Sequence, residues 1–571
     1  MTETVKNYVL EKLGTGAGVG WFSCVPEDAP GLEECLHHLS AAPWDRFMHG
    51  YALELLKEAP LEEIENLIER GTSGEPHLLA LVFEACSTKQ DLNELLNRFT
   101  DADIQAAAGH TPRITIHFGK QEPPGWRLYW LKVFSRNILL HEELPPPGKA
   151  QFAAPVEPRE IEAWKENTLH ISQAPFAREL PGKKPEKTSP PSRKEIGRLQ
   201  GLLERLGVLE GWESRTEATL SPYAVERPWR LDVRVGNGRN SWRLRGVQTG
   251  YGRGLNIHQA RMSCLMEIAE RYSAFVSVQG EKAPGFARGH RLIRGTRKAL
   301  QEEGFRLVDP RRMRLEVPFR DESLHWMKGE AVTSDGPRET LVPFQLVSLF
   351  SNLDETDLTS GITSTGLGAG ATVEQARLSA LLEVVERDAE RIMPYTPSRC
   401  FTLESADDKV HGMLSEWTAK GIHVRFLDIT PEMGIPCYKA FVEAPGGVVL
   451  KGCGAALNGA HAAVSAMTEI PWPYPYWFGT APAPEDTPVR ALEDLPNWST
   501  GDAARDLVNL ESLLLRNGYE PVYVDLTRED TGIPVCRALV AGLEMMTFFD
   551  RYTPLGFRQF AQYLEAAGTH P

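Results

Sequence analysis

The stretch "LLEVVERDAE", Leu381 to Glu390, sets Glu383, Glu386 and Glu390 along one stripe of a helix beside Arg387. Residues three and four apart share a helix face, so these carboxylates repel unless positive charge stands between them. A solvated surface is the ordinary fate of such a stripe, and a cation site is the other. What separates the two readings is that the stretch occurs again.

"GRGLNIHQARMSCLMEIAER" (Gly252 to Arg271) aligns without a gap to "GAGATVEQARLSALLEVVER" (Gly368 to Arg387). The copies share two glycines, Gln-Ala-Arg, a serine and a final Glu-x-x-Glu-Arg. Each reads as a glycine loop followed by a helix, with an N-cap (Asn256, Thr372) and a glutamine at the third helical position (Gln259, Gln375). Ala260, Cys264, Leu265 and Ile268, matched by Ala376, Ala380, Leu381 and Val384, form the inward face. Ser263, Glu267 and Glu270, or Ser379, Glu383 and Glu386, form a separate polar stripe. If the two helices pack together, four carboxylates converge, with a repulsion of several kcal/mol at protein-like dielectric. Mg2+ suits such a site, because it prefers carboxylate oxygen and water and is completed by substrate phosphates. Arg271 and Arg387 are placed to face those phosphates.

A damaged third copy, "GAALNGAHAAVSAMTEIPWPYPYW", aligns on Gly454, Asn458, Ala462, Ser465 and Glu469. Trp472 stands where the second carboxylate belongs, and Pro471 and Pro473 end the helix. A second pair, "GIHVRFLDITPEMGIPCYKAFV" and "GYEPVYVDLTREDTGIPVCRALV", reads twice as strand, Asp-x-Thr turn, Gly-Ile-Pro, strand. The fold class expected is α/β with internal pseudo-symmetry across 195–571.

Upstream, "DRFMHGYALELLKEA", "LEEIENLIERG" and "EPHLLALVFEACS" carry helical periodicity, whereas "RITIHFGK" and "WRLYWLKVF" read as two strands across a Pro-Pro-Gly turn. This predicts a smaller, mainly helical N-terminal domain over 1–141 and a proline-rich linker over 142–194 lying along the protein. "GTGAGVG" near residue 14 follows a helical pattern and reads as a turn, not a dinucleotide fingerprint. "GLGAGA" (Gly366 to Ala371) precedes a helix, but its nearest acids lie within that helix and not at the end of a following strand. Walker, H-E-x-x-H and G-x-S-x-G motifs do not occur.

The 571 residues are 42% hydrophobic and 24% charged, enough for two or three domains with a substantial core. A net charge of −15 argues against a nucleic-acid-coating surface. Eight cysteines lack a C-x-x-C pair and read as small buried residues. No secretory start and no long apolar run occur, so the expectation is a cytoplasmic protein without membrane contact.

In combination, "GRGLNIHQARMSCLMEIAERYSA", "TSTGLGAGATVEQARLSALLEVVERDA", "GCGAALNGAHAAVSAMTE" and "GIPVCRALVAGLE" resemble the ordered signatures of the YcaO superfamily over about 220–544. The resemblance implies ATP and Mg2+ as cofactors, and phosphorylation of a peptide backbone amide oxygen before a nucleophile completes azoline, amidine or thioamide formation. It places Glu267, Glu270, Glu383 and Glu386 at the metal ions, Arg387 at phosphate, and the loop Ser364, Thr365 and Gly366 beside the nucleotide; beside these, Arg271, from the charge pattern, and Gln375 are candidate cofactor contacts. Thr365 replaces the family's Asn, Trp472 and Tyr474 replace its third-motif Gln and Arg, and the chain ends "EAAGTHP" where azoline-forming members carry a proline-rich tail. Arg253 in the glycine loop is the candidate to compensate the lost arginine. The expected partners are a peptide or protein substrate and a sulfur-delivering protein, for thioamidation or an accessory part in methylthiolation, with a homodimer left open. The alternative is a non-catalytic ATP-binding scaffold that recruits a partner through its N-terminal domain.

Overall fold

The computed structural model describes residues 5–13, 21–120, 123–179, 191–361, 363–473, 478–545 and 549–568. Each copy of the repeat is a strand running into a helix. Asn240–Gly254 leads to helix Ile257–Ala274, Leu367–Ala369 to helix Val373–Ile392, and Val448–Ala455 to helix Gly459–Thr468. The caps act as their residue types require. Asn256 accepts from the amides of His258 and Gln259, Thr372 from Gln375, and Asn458 from Ala460. Gln259 and Gln375 reach back to the amides of Leu255 and Ala371 at 3.1 and 3.0 Å.

The strands belong to three sheets. The largest runs Trp21–Pro26, Lys6–Leu13, Asn240–Gly254, Tyr223–Asn237, followed by the short strands Val278–Gln279, Lys282–Ala283 and His290–Arg291. A second is ordered Gly336–Pro343, Leu324–Thr333, Pro521–Asp525, Val535–Val540, Leu367–Ala369, and a third Val448–Ala455, Cys437–Ala444, Arg425–Asp428, Cys400–Glu404, Val489–Ala491. The two Gly-Ile-Pro segments form matching antiparallel pairs, Arg425 opposite Phe441 and Pro521 opposite Val540. In their turns Asp428 and Asp525 accept from the amides of Thr430 and Thr527.

The helical layer Leu32–Ala41, Arg46–Glu58, Leu61–Thr72 and Pro76–Thr88 is present as expected. Two expectations are corrected. "RITIHFGK" holds a 3-10 helix, Ile114–Phe118, and "WRLYWLKVF" lies within helix Gly125–Leu140. Its buried residues Trp130, Leu131, Phe134, Asn137 and Ile138 recur at three- and four-residue spacing, so packing on one side overrides the strand preference of aromatic and branched residues. Conversely, the segment before "GTGAGVG" is strand Lys6–Leu13, not helix, because it pairs in parallel with Asn240–Gly254 and buries Tyr8. The glycine run itself, residues 14–20, lies outside the described residues.

Segment 142–194 lies along the protein where it is described. It carries helix Pro158–Asn167, and Ile171 donates to Met433 O at 2.8 Å. Helix Gly125–Leu140 and the last helix, Phe557–Ala566, pack through Trp130, Phe134, Phe560 and Tyr563. Asn137 exchanges two hydrogen bonds with the backbone of Tyr395, and Lys439 donates to Ile138 O at 3.1 Å. Arg558 grips Asp388, on the inward side of the second motif helix, with two bonds of 2.7 and 2.8 Å. Breaking such a buried pair from one side costs about 3–5 kcal/mol. All eight cysteines are free, seven of them buried. Among the described residues no helix is long and apolar enough to cross a membrane.

Close approach of strand to helix depends on glycine. A Cβ on Gly252 would lie 2.0 Å from Ala260 O, and one on Gly368 would lie 2.5 Å from Ala376 O. Gly252→Ala and Gly368→Ala are each expected to lower stability by about 1–3 kcal/mol or more, since backbone must give way. Gly197→Ala, at an open position within helix Arg193–Arg205, should raise it by about 0.5–1 kcal/mol. Urea unfolding of the three variants checks both signs.

Candidate functional site

Helices Ile257–Ala274 and Val373–Ile392 both pack on the strand pair Leu367–Ala369 and Val535–Val540. This brings their polar stripes within electrostatic reach. Glu270 interacts repulsively with Glu267 and Glu383, and Glu386 with Glu383, Glu390 and Glu469. Each of Glu267, Glu270, Glu383 and Glu386 is partly exposed, so the stripes line an opening and do not fill core.

The cations are distributed unevenly. Arg271 stands 3.1 Å from Glu270 and 3.9 Å from Glu267, whose other oxygen accepts from the Tyr251 amide at 2.7 Å. Arg387 stands 3.5 Å from Glu386 and 3.0 Å from Glu390, and Lys451 meets the second Glu390 oxygen at 3.0 Å. Burial alone would raise the Glu390 carboxyl, but Lys451 and Arg387 outweigh it and bring it down to about 2. Glu390 is therefore a bridge between two cations. Glu383 and Glu469 have no cation within 4.0 Å among the described residues.

Desolvation dominates at Glu270, Glu383, Glu386 and Glu469. It pushes Glu270 up to about 8 despite Arg271, with Glu383 and Glu267 adding to the rise. It pushes Glu386 to about 8 as well, against Arg387 and with Glu469 and Glu383 reinforcing it. Glu383 and Glu469 are raised for the same first reason. A partly buried carboxylate cluster pushed toward its neutral form lacks positive charge. Among the described residues, no group of three or more His, Cys, Asp or Glu side chains is placed so that it could hold a metal ion by itself. Carboxylate oxygen is the donor type that Mg2+ takes, with water and phosphate oxygens completing its shell.

Two residues escaped the sequence reading of the site. Glu469, at the C-cap of helix Gly459–Thr468, couples electrostatically to Glu267, Arg253 and Arg387. Its alignment with Glu267 and Glu383 in the third repeat was the available signal. Arg537, fully buried on strand Val535–Val540, donates to Thr363 O at 2.9 Å and faces Glu383 and Glu270, while its Nε and Nη1 atoms have no partner among the described residues. Burial lowers it to about 10. An arginine inside a strand of apolar residues gives no sequence sign of facing a cleft.

The other expected positions are placed as follows. Ser364 and Gly366 belong to the loop held by Arg537, with Gly366 at φ +81°. Arg253 makes no ion pair among the described residues, and its buried Nε has no partner. Gln375 is exposed and its carboxamide oxygen is spent on the helix cap. Trp472 is 1% exposed, stacked on Phe478 at 4.8 Å within a core of Phe401, Trp417 and Met467, which makes it a packing residue. Tyr474 lies outside the described residues.

Residues 251–471 and 476–544, just over half of the chain, match the sequence model of the family described as YcaO cyclodehydratase, ATP- and Mg2+-binding. An uncharacterized protein of Methanothermobacter thermautotrophicus is 28% identical over 338 residues, 52% of this chain and 82% of that protein. Among solved structures, a heterocyclase in complex with substrate and cofactor is 19% identical with a TM-score of 0.49, covering 64% of this chain, which spans 55% of the heterocyclase. YcaO from Methanopyrus kandleri, bound with AMPPCP and Mg2+, is 22% identical with a TM-score of 0.43, covering 61% of this chain and 89% of that one. This chain therefore belongs to the YcaO family, and its cofactors are ATP and Mg2+.

Proposed function

We propose that the protein activates a backbone amide of a peptide or protein substrate at this cleft, for thioamidation or as an accessory factor in methylthiolation, with sulfur delivered by a partner protein. The observation that carries the reading is the cluster of partly buried carboxylates from three repeat copies, two of which have no cation within 4.0 Å among the described residues. Glu267, Glu270, Glu383, Glu386 and Glu469 would hold Mg2+. Arg271, Arg387, Arg253 and Arg537 would take phosphate oxygens, and the Ser364 to Gly366 loop would lie against the nucleotide. When bound, ATP supplies the phosphoryl group that turns the amide oxygen into a leaving group. The chain's own part is to fix these donors on the motif helices and the strands beneath them, and to keep Arg387 aimed through Glu390.

A second reading, a nucleotide-binding scaffold without turnover, is favoured by the burial of Trp472 where the family carries a polar residue. Co-expression with candidate peptides separates the two. Exchange of oxygen for sulfur adds mass, dehydration removes it, and an unmodified peptide together with no substrate-stimulated phosphate release supports the scaffold.

Three further outcomes are expected. Glu383→Gln and Glu386→Gln should abolish Mg2+-dependent ATP binding while leaving the apo fold as stable or more so, because a repelling charge is removed. Calorimetric titration showing unchanged affinity in both would remove the metal assignment. Arg253→Ala should weaken MgATP binding at least as much as Arg387→Ala, by about tenfold or more, as lost charge-assisted contacts predict. In the apo protein the folded state binds extra protons at Glu270 and Glu386 from their ordinary range near 4.5 up to about 8, so stability should fall as pH rises through that window. Saturating MgATP should flatten the slope, as melting at several pH values will show.

A further inference from the structure

Glu390 serves two cations at once. Its Oε2 accepts from Arg387 Nη1 at 3.0 Å, and its Oε1 accepts from Lys451 Nζ at 3.0 Å. Arg387 also stands 3.5 Å from Glu386. This corner of the cleft therefore sets two carboxylates against two cations, and without Lys451 a single guanidinium would face both acids. Glu390 is buried and Lys451 nearly so, which leaves little solvent to screen the pair. Burial pushes the Glu390 carboxyl up, and Lys451 does more than Arg387 to bring it down. Lys439, buried on the neighbouring strand Cys437–Ala444, adds a smaller pull and gives its ammonium to Ile138 O.

The lysine comes from the third repeat copy. It lies on strand Val448–Ala455, three residues before Gly454, where the first two copies carry Thr249 and Thr365. In the same copy Pro473 stands at the position of Arg271 and Arg387. The copy that lacks its own arginine thus supplies a cation to the acid beside the arginine of the second copy.

We propose that Lys451 is a positioning residue of the nucleotide site, occupying one oxygen of Glu390 so that Arg387 is both held in place and left with charge for phosphate. A carboxylate engaged at both oxygens has one orientation, whereas one engaged at a single oxygen turns about its last, broad torsion. A second cation on Glu390 also offsets the acid that would otherwise consume the guanidinium charge. Lys451 acts through Glu390 and needs no contact of its own with the nucleotide. Its role rests on the reading of Arg387 as a phosphate contact.

The test is calorimetric titration of the full chain with MgATP. Lys451→Met should weaken binding about tenfold, the scale of one charge-assisted contact. Lys451→Arg should stay within about threefold of the parent, because a guanidinium also donates to Glu390. Glu390→Gln keeps an acceptor for Arg387 and should bind measurably. In that background Lys451→Met should change affinity less than about twofold, since the carboxylate through which it acts is gone. Melting curves establish that each variant is folded, with Lys451→Gln taking the place of Lys451→Met if the latter is not. Full affinity in Lys451→Met, an equal loss in Lys451→Arg, no measurable binding in Glu390→Gln, or the same loss in both backgrounds would each overturn the proposal. Weakened binding in Arg387→Ala would then leave the phosphate reading standing, whereas full affinity in Arg387→Ala would overturn both.

Discussion

The rest of the structure depends on how closely a strand can lie beneath the helix that follows it. At Gly252, Gly368 and Gly454 the strand backbone runs so near the helix backbone that a single added carbon would collide with a helical carbonyl. This contact fixes the height and rotation of each helix above its sheet. The carboxylate stripes then face one another because both main helices stand on the same strand pair. Had either glycine carried a side chain, the helix would be lifted and the stripes would part.

Burial then makes the site out of the stripes. On an exposed helix the pairs Glu267 and Glu270, or Glu383 and Glu386, would be solvated and unremarkable in energy. Within the cleft, desolvation and mutual repulsion push two of them up to about 8, while Glu390, one turn further on, is drawn down to about 2 by Lys451 and Arg387. The three acids of one stripe therefore do different work. Burial raises Glu383 and Glu386, and Glu390 holds an arginine in place.

The family core does not stand by itself in this chain. Strand Lys6–Leu13 extends the sheet of the first repeat, Asn137 binds the backbone just beyond the second motif helix, and Arg558 from the last helix neutralises Asp388 beneath it. Asp388 is wholly buried, so the orientation of the second motif helix is set from outside the matched region as well as from within. These attachments give the flanking segments a defined mechanical relation to the cleft.

Much of this was legible in the sequence, because it is written in local spacing. The gapless repeat, the caps at Asn256 and Thr372, the Glu-x-x-Glu-Arg stripes and the premature end of the third helix all follow from residues a few positions apart. Long-range partners were not. Nothing near residue 8 announces that its strand will pair with residue 244, nothing in "WRLYWLKVF" says which side will be covered, and Arg537 looks like one more residue of a strand. Local spacing was enough for the repeated strand and helix units and for the residues that bear charge. Which groups share the cleft was settled in three dimensions: Glu469 and Arg537 come to it, and Glu390 is occupied between Lys451 and Arg387, because pairing and desolvation depend on which groups meet in space and not on their distance along the chain.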